Sequence, residues 1–91
     1  MGQREIEVSV HVQKDVKRAQ DRHNDVGKLK TLVTLLIHPP LPLPAIYKDH
    51  PLQGSYSGYR DAHIEPDWVL IYKITVECLR FELTGTHAEL F

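Results

Sequence analysis

Between positions 50 and 87 the chain gathers three imidazoles and several carboxylates: His50, Asp61, His63, Glu65, Asp67 and His87. These side chains suit proton transfer near neutral pH, where imidazole changes charge and a carboxylate can take a proton or orient a ring. Cleaving RNA without a metal needs three functions. A base takes the proton of the 2′-hydroxyl, an acid protonates the departing 5′-oxygen, and a cation or donor steadies the charged phosphorane. Taken singly, each residue has a plainer explanation. His50 reads as a local hydrogen-bonding group in a loop, Asp67 as a turn former, Trp68, Tyr72 and Phe81 as core, and Phe91 as a packed terminus. His11, His23 and His38 read as surface or helix-flank residues. Zinc ranks low, because no two of these histidines have a close ligand spacing and the single cysteine, Cys78, is far from any partner. Neither a metal nor a cofactor is expected.

The elements that must hold these groups follow from periodicity. Ile6, Val8 and Val10 alternate with Glu5, Glu7 and Ser9, which predicts a half-buried strand. From Val12 the step lengthens: Val12, Val16, Ala19, His23 and Val26 form one helical face, with Lys14, Lys17, Arg18, Asp21 and Arg22 on the polar side. Lys14, Arg18 and Arg22 stand one turn apart as a ridge of positive charge. Asn24 and Asp25 interrupt the pattern and can cap a second helix. Its buried face is Leu29, Leu32, Val33, Leu36 and Ile37, and Pro39 and Pro40 end it.

Residues 38–54 carry Pro39, Pro40, Pro42, Pro44 and Pro51 and read as a connection able to hold His50 in a fixed place. Residues 59–64 read as a strand with Asp61 and His63 on one face, ended by Pro66. Residues 68–74 form a central apolar strand. Residues 75–83 form another, with Leu79, Phe81 and Leu83 on one face and Cys78, Arg80 and Glu82 on the other. The expected class is α+β: one domain over residues 1–91, with two N-terminal helices layered on one face of an antiparallel β-sheet and the other face free to bind.

With 91 residues the core is thin. One cysteine leaves no internal disulfide and fits a reducing compartment. No signal-peptide pattern is visible, and the longest apolar runs, 35–37 and 68–72, are too short to cross a bilayer; no membrane partner is expected. Net charge is -1, yet residues 1–30 hold seven basic against five acidic side chains, so a phosphate-attracting face involves the first third of the chain.

Four stretches in order resemble the YafQ family of the RelE/ParE toxin superfamily. They are Leu41-Pro42-Leu43-Pro44 through Tyr47-Lys48-Asp49-His50-Pro51-Leu52, then Gly58-Tyr59-Arg60, then His63-Ile64-Glu65-Pro66-Asp67-Trp68, and finally Thr84-Gly85-Thr86-His87 with Leu90-Phe91. The resemblance implies the RelE-like microbial RNase fold and a bacterial, cytoplasmic toxin of a type II toxin–antitoxin system. Such toxins are metal-independent, ribosome-dependent mRNA endoribonucleases that cut in the A site, at AAA-type codons in this branch, and leave a 2′,3′-cyclic phosphate and a 5′-hydroxyl. The implied partners are a DinJ-like ribbon-helix-helix antitoxin, the ribosome with its mRNA, and operator DNA reached only through the antitoxin.

Carried over residue by residue, the implied catalytic set is His50, His63, Asp67 and His87. His87 acts as acid, His50 or Asp67 as base, and His63 at the phosphate. Trp68, Phe91 and Arg60 bind substrate or support the site, and Lys14, Lys17, Arg18 and Arg22 face rRNA. Two departures stand out. Leu83 occupies a position where the family commonly has Arg, a natural phosphorane stabiliser, and the net charge of -1 is low for a toxin that enters the ribosome. An attenuated enzyme is therefore expected. The alternative is a catalytically weak or inactive toxin-like protein acting as an antitoxin-bound transcriptional co-repressor. The gyrase-poisoning side of the superfamily does not need three histidines.

Overall fold

A computed structural model describes residues 5–37 and 43–90; the expectations for His38, Pro39, Pro40, Pro42 and Phe91 lie outside them. Strand β1 (Glu5–Val8) leads into helices α1 (Val10–Asp21) and α2 (Val26–Ile37). A 3₁₀ turn at Ala45–Tyr47 precedes the two-residue strand β2 (His50–Pro51). Then come β3 (Arg60–Glu65), β4 (Trp68–Ile74), β5 (Cys78–Gly85) and a last short helix, α3 (His87–Leu90).

Each helix begins where a polar side chain can satisfy its free amides. Ser9 accepts from the Val12 amide at 2.9 Å, and Asp25 accepts from the Gly27 amide at 3.0 Å. Helix α1 stops at Asp21 because His23 turns left-handed, with φ 61°. His23 is therefore exposed and off the helical face to which periodicity assigned it.

The sheet order is β1-β5-β4-β3-β2. Strands β3 to β5 pair antiparallel as expected; the connection adds a short further strand, β2, antiparallel to β3, and β1 runs parallel to β5, so the sheet is mixed. As an edge strand β1 has one neighbour, and Ile6 and Val8 stay 45% and 49% exposed rather than half-buried in a core. The core lies between helices and sheet. Val12 and Ala19 of α1 and Leu29, Leu32 and Leu36 of α2 pack on Ala62, Trp68, Leu70, Tyr72, Leu79 and Phe81. Val69 and Ile71, on the opposite face of β4, are fully buried too. The central strand thus gives the site face an apolar floor.

One irregularity changes which side chains share that face. Tyr72 pairs with Phe81 but Ile71 pairs with Leu83, so Glu82 is an extra residue in β5. Such a bulge inverts the alternation beyond it. Leu83 leaves the core face of Leu79 and Phe81, and Thr84 takes the buried position. Because Lys73 pairs with Arg80 two residues from the Ile71–Leu83 pair, Arg80 and Leu83 lie on the same face, contrary to simple alternation.

Candidate active site

Strand pairing sets Asp61 opposite His50 on β2 and opposite Ile71 on β4, with His63 two residues along the same face. Asp61 is 1% exposed. Three imidazoles surround its carboxylate. His63 Nδ1 stands 3.6 Å from Oδ1, while Nε2 of His50 and Nε2 of His87 stand 4.0 and 3.9 Å from Oδ2. Ring centroids are 6.1 Å apart for His50 and His63 and 5.4 Å for His63 and His87. Among the described residues Asp61 Oδ1 and His63 Nδ1 are buried without a hydrogen-bond partner. An orphaned buried carboxylate costs stability, and such groups collect at functional sites. Parity already placed Asp61 beside His63, but no periodic signal linked it to His50 or His87, and it is absent from the implied catalytic set.

Each histidine is held by its own local device. Lys48 adopts a left-handed conformation (φ 48°, ψ 39°), and its carbonyl oxygen lies 2.8 Å from His50 Nδ1. A carbonyl only accepts, so Nδ1 donates to it, which turns Nε2 toward Asp61. Next to His50, Asp49 Oδ1 accepts from Arg60 Nε at 2.9 Å and from the Tyr72 hydroxyl at 2.8 Å. Burial first, and then the Asp49 carboxylate, hold the Tyr72 phenol far above its ordinary range, so it remains a donor. Arg60 pairs with Tyr72 on the helix face of the sheet. It therefore supports the site from behind through Asp49. Trp68, 3% exposed, donates to Thr84 Oγ1 at 2.9 Å, and Thr84 Oγ1 donates to the Val69 carbonyl at 2.8 Å. Trp68 is a buttress under the β4–β5 junction.

His87 opens α3, which is fastened at both ends of one carboxylate. Glu89 Oε1 accepts from the Thr86 amide at 3.1 Å while Thr86 Oγ1 accepts from the Glu89 amide at 3.2 Å, a capping box. Glu89 Oε2 meets Arg22 Nη1 at 2.9 Å and Arg18 Nη1 at 3.5 Å. A Cβ on Gly85 would come to 3.2 Å from Glu89 Oε1, so a larger residue there would crowd the carboxylate that fastens α3. Two members of the basic ridge, Arg18 and Arg22, thus engage α3, while Lys14 and Lys17 are exposed. On the far side of His87, Nδ1 lies 3.9 Å from Oδ1 of Asp67, whose side chain is 78% exposed.

The Thr86 amide first, with Arg22 beside it, holds the Glu89 carboxyl below the usual carboxylate range. A depressed folded-state pKa stabilises above the unfolded value, about 4.3, and that stability is lost as pH falls through the folded value. Acid is therefore expected to release α3 first. Amide protection at Glu89 and Leu90 should drop below roughly pH 4 while β4 stays protected, as NMR exchange rates referred to the intrinsic rate can show. Uniform loosening of both would contradict the local fastening.

A family model described as bacterial toxin of type II toxin–antitoxin system, YafQ, matches residues 4–91. The chain belongs to the YafQ family. The mRNA interferase toxin YafQ of Escherichia coli (strain K12) is 69% identical over 91 residues, covering 100% of this chain and 99% of that protein. The crystal structure of the H87Q mutant of E. coli YafQ superposes with a TM-score of 0.96 at 68% identity, covering 98% of this chain and 99% of that one. YafQ in the crystal structure of the E. coli DinJ–YafQ complex gives 0.94 at 69% identity, covering 99% of each chain. The α+β expectation therefore holds as the YafQ toxin fold, with the sheet mixed.

In this YafQ-family chain the site face lacks an arginine at position 83, yet it does carry Arg80. That guanidinium is engaged: its Nε lies 2.6 Å from Glu82 Oε2 and its Nη1 3.4 Å from Glu7 Oε1. The Glu82 hydrogen bond, followed by that carboxylate's charge, raises Arg80 above its already high ordinary range. Arg80 sits opposite Lys73, whose Nζ stands 5.5 Å over the Tyr59 ring. A basic pair thus lies on the same face as the histidines.

Proposed function

We propose that this chain is an mRNA interferase, the toxin of a type II toxin–antitoxin pair, acting on mRNA in the ribosomal A site, at AAA-type codons. The observation that carries this reading is the convergence of His50, His63 and His87 on the buried carboxylate of Asp61, at 3.6–4.0 Å. In the proposed reaction, His50 Nε2 takes the proton from the 2′-hydroxyl. The 2′-oxygen forms a bond to phosphorus, the bond from phosphorus to the 5′-oxygen breaks, and His87 protonates that leaving oxygen. The products are a 2′,3′-cyclic phosphate and a 5′-hydroxyl. The Lys48 carbonyl favours His50 as base, since it holds the ring through Nδ1 and turns Nε2 toward the other two imidazoles' shared carboxylate. His87, set between Asp61 and Asp67, takes the role of acid. His63, between the other two rings, binds the phosphate, and Asp61 keeps all three rings aimed at one point.

We assign the chain to the bacterial cytoplasm, where translating ribosomes are, and give it a DinJ-like antitoxin as partner, with operator DNA reached through that antitoxin. Inducible expression with mapping of mRNA 5′ ends tests the reading. Growth arrest with cuts in phase with codons is expected. Expression without arrest or cuts would instead favour the co-repressor reading, a weak toxin that works only when bound to its antitoxin. That second reading draws on Leu83 and on the engagement of Arg80 by Glu82 and Glu7.

Leu83→Arg separates the two. Position 83 pairs with Ile71, which pairs with Asp61, so it lies two strand spacings, about 10 Å, from the carboxylate. An arginine side chain spans most of that gap. We expect cleavage to rise roughly tenfold, short of the ~10²–10³ that one well-built donor supplies. An unchanged rate would show that the missing cation does not limit this chain.

A further inference from the structure

Beside His63 lies a cavity of about 590 Å³, bounded by Lys28 of α2, Ile46, Tyr47 and Lys48 around the 3₁₀ turn, and Glu65 of β3. Its size falls within the roughly 300–1,000 Å³ of small-ligand sites. Two residues join it to the histidines. His63 lines it directly, and Lys48, at its rim, supplies the carbonyl that holds His50. The cavity thus adjoins the place where the proposed reaction puts the scissile phosphate.

The walls match a base. Ile46, 80% exposed, and Tyr47 offer apolar and aromatic surface to its π-face, and Lys48 offers a cation to its phosphate. At the other side Lys28 Nζ and Glu65 Oε2 pair at 2.9 Å, a donor and an acceptor side by side. Watson–Crick edges come in two matching senses. Adenine and cytosine put an amine donor outside a ring acceptor, whereas guanine and uracil put a carbonyl acceptor outside a ring N–H. A fixed donor–acceptor pair satisfies one sense and leaves the other with donor facing donor.

We infer that this cavity receives the nucleobase next to the scissile phosphate and that the Lys28–Glu65 pair sorts amino bases from keto bases there. The inference rests on the nuclease reading above. It separates this pair from the catalytic histidines: Lys28 and Glu65 touch the base edge and no reacting atom.

The test maps mRNA 5′ ends after induction of the parent, of the Lys28→Glu/Glu65→Lys double variant and of Glu65→Gln. The double variant keeps the ion pair but reverses its sense, and both side chains are partly exposed (53% and 37%), so the fold is expected to persist, as circular dichroism can verify. The parent should show one class of base enriched roughly tenfold at a single position beside the cut, the discrimination a bidentate contact supplies. The double variant should invert that enrichment at the same position. Glu65→Gln, whose amide can turn to donate or accept, should flatten it. Parent, double variant and Glu65→Gln cutting with one common base profile would overturn the inference while leaving the nuclease reading intact. A parent that makes no cuts would overturn both.

Discussion

His87→Gln is expected to lower the cleavage rate by about 10²–10⁴-fold, the usual worth of a positioned general acid, while leaving the fold in place. Glutamine keeps much of the size and hydrogen-bonding capacity of the ring but cannot hold and release a proton at neutral pH. In the proposed reaction His87 is the ring that makes that exchange, and it is the one set between two carboxylates. Its Nε2 and Nδ1 each stand 3.9 Å from a carboxylate, Asp61 on one side and Asp67 on the other. The H87Q mutant of E. coli YafQ superposes on this chain with a TM-score of 0.96, so a change of this type is compatible with the fold. Growth after induction, and the yield of new mRNA 5′ ends, provide the readout. A variant that cuts at the parental rate would remove His87 from the chemistry and leave its position beside Asp61 unexplained.

Asp61→Asn is expected to cost about 10²–10³ in rate, on the scale of losing one electrostatic contact in a preorganised site. The melting temperature should be unchanged or higher. The two effects separate because the carboxylate is poorly served as a structural group. It is 1% exposed, and its Oδ1 has no hydrogen-bond partner among the described residues. A buried charge short of hydrogen bonds costs several kcal/mol, and among the described residues the charged or chargeable groups beside it are imidazoles at 3.6–4.0 Å. Asparagine fills the same space with no charge to desolvate. Thermal unfolding beside single-turnover cleavage tests this. Loss of the fold together with activity would make Asp61 a structural residue, and parental activity would make the convergence of histidines incidental.

The parts of this architecture legible in the sequence were those written in local periodicity. The three-and-four spacing from Val12 to Ala19, the cap at Asp25 and the apolar run from Trp68 each found their element. The non-local parts were silent. Nothing near Ile6 indicates that its strand pairs with Leu79, and hence that β1 is an edge. The extra residue at Glu82 leaves no local mark, so alternation assigned Leu83 to the core face and Arg80 to the wrong side.

The site divides the same way. His50, His63 and His87 were recoverable from residue type and from the family's motifs, and the structure brings all three together. Asp67 is brought only to His87, at 3.9 Å. Asp61 needed strand pairing to appear as the common centre. Arg60 was one residue from Asp61, and parity alone would have turned it to the helix face. The tie from Arg18 and Arg22 to Glu89 crosses most of the chain's length and carries no motif beyond the Thr86–Glu89 cap.

The parallel pairing of Glu5 with Cys78 has a consequence for how such a protein comes into being. The first strand waits for the last before the sheet is complete, and long-range closure of this kind is slow. A growing polypeptide that still lacks residues 78–87 has neither that edge nor His87, the proposed acid. It emerges unarmed beside the machine it is proposed to attack, and the interval before closure is time in which a neutralising partner can arrive.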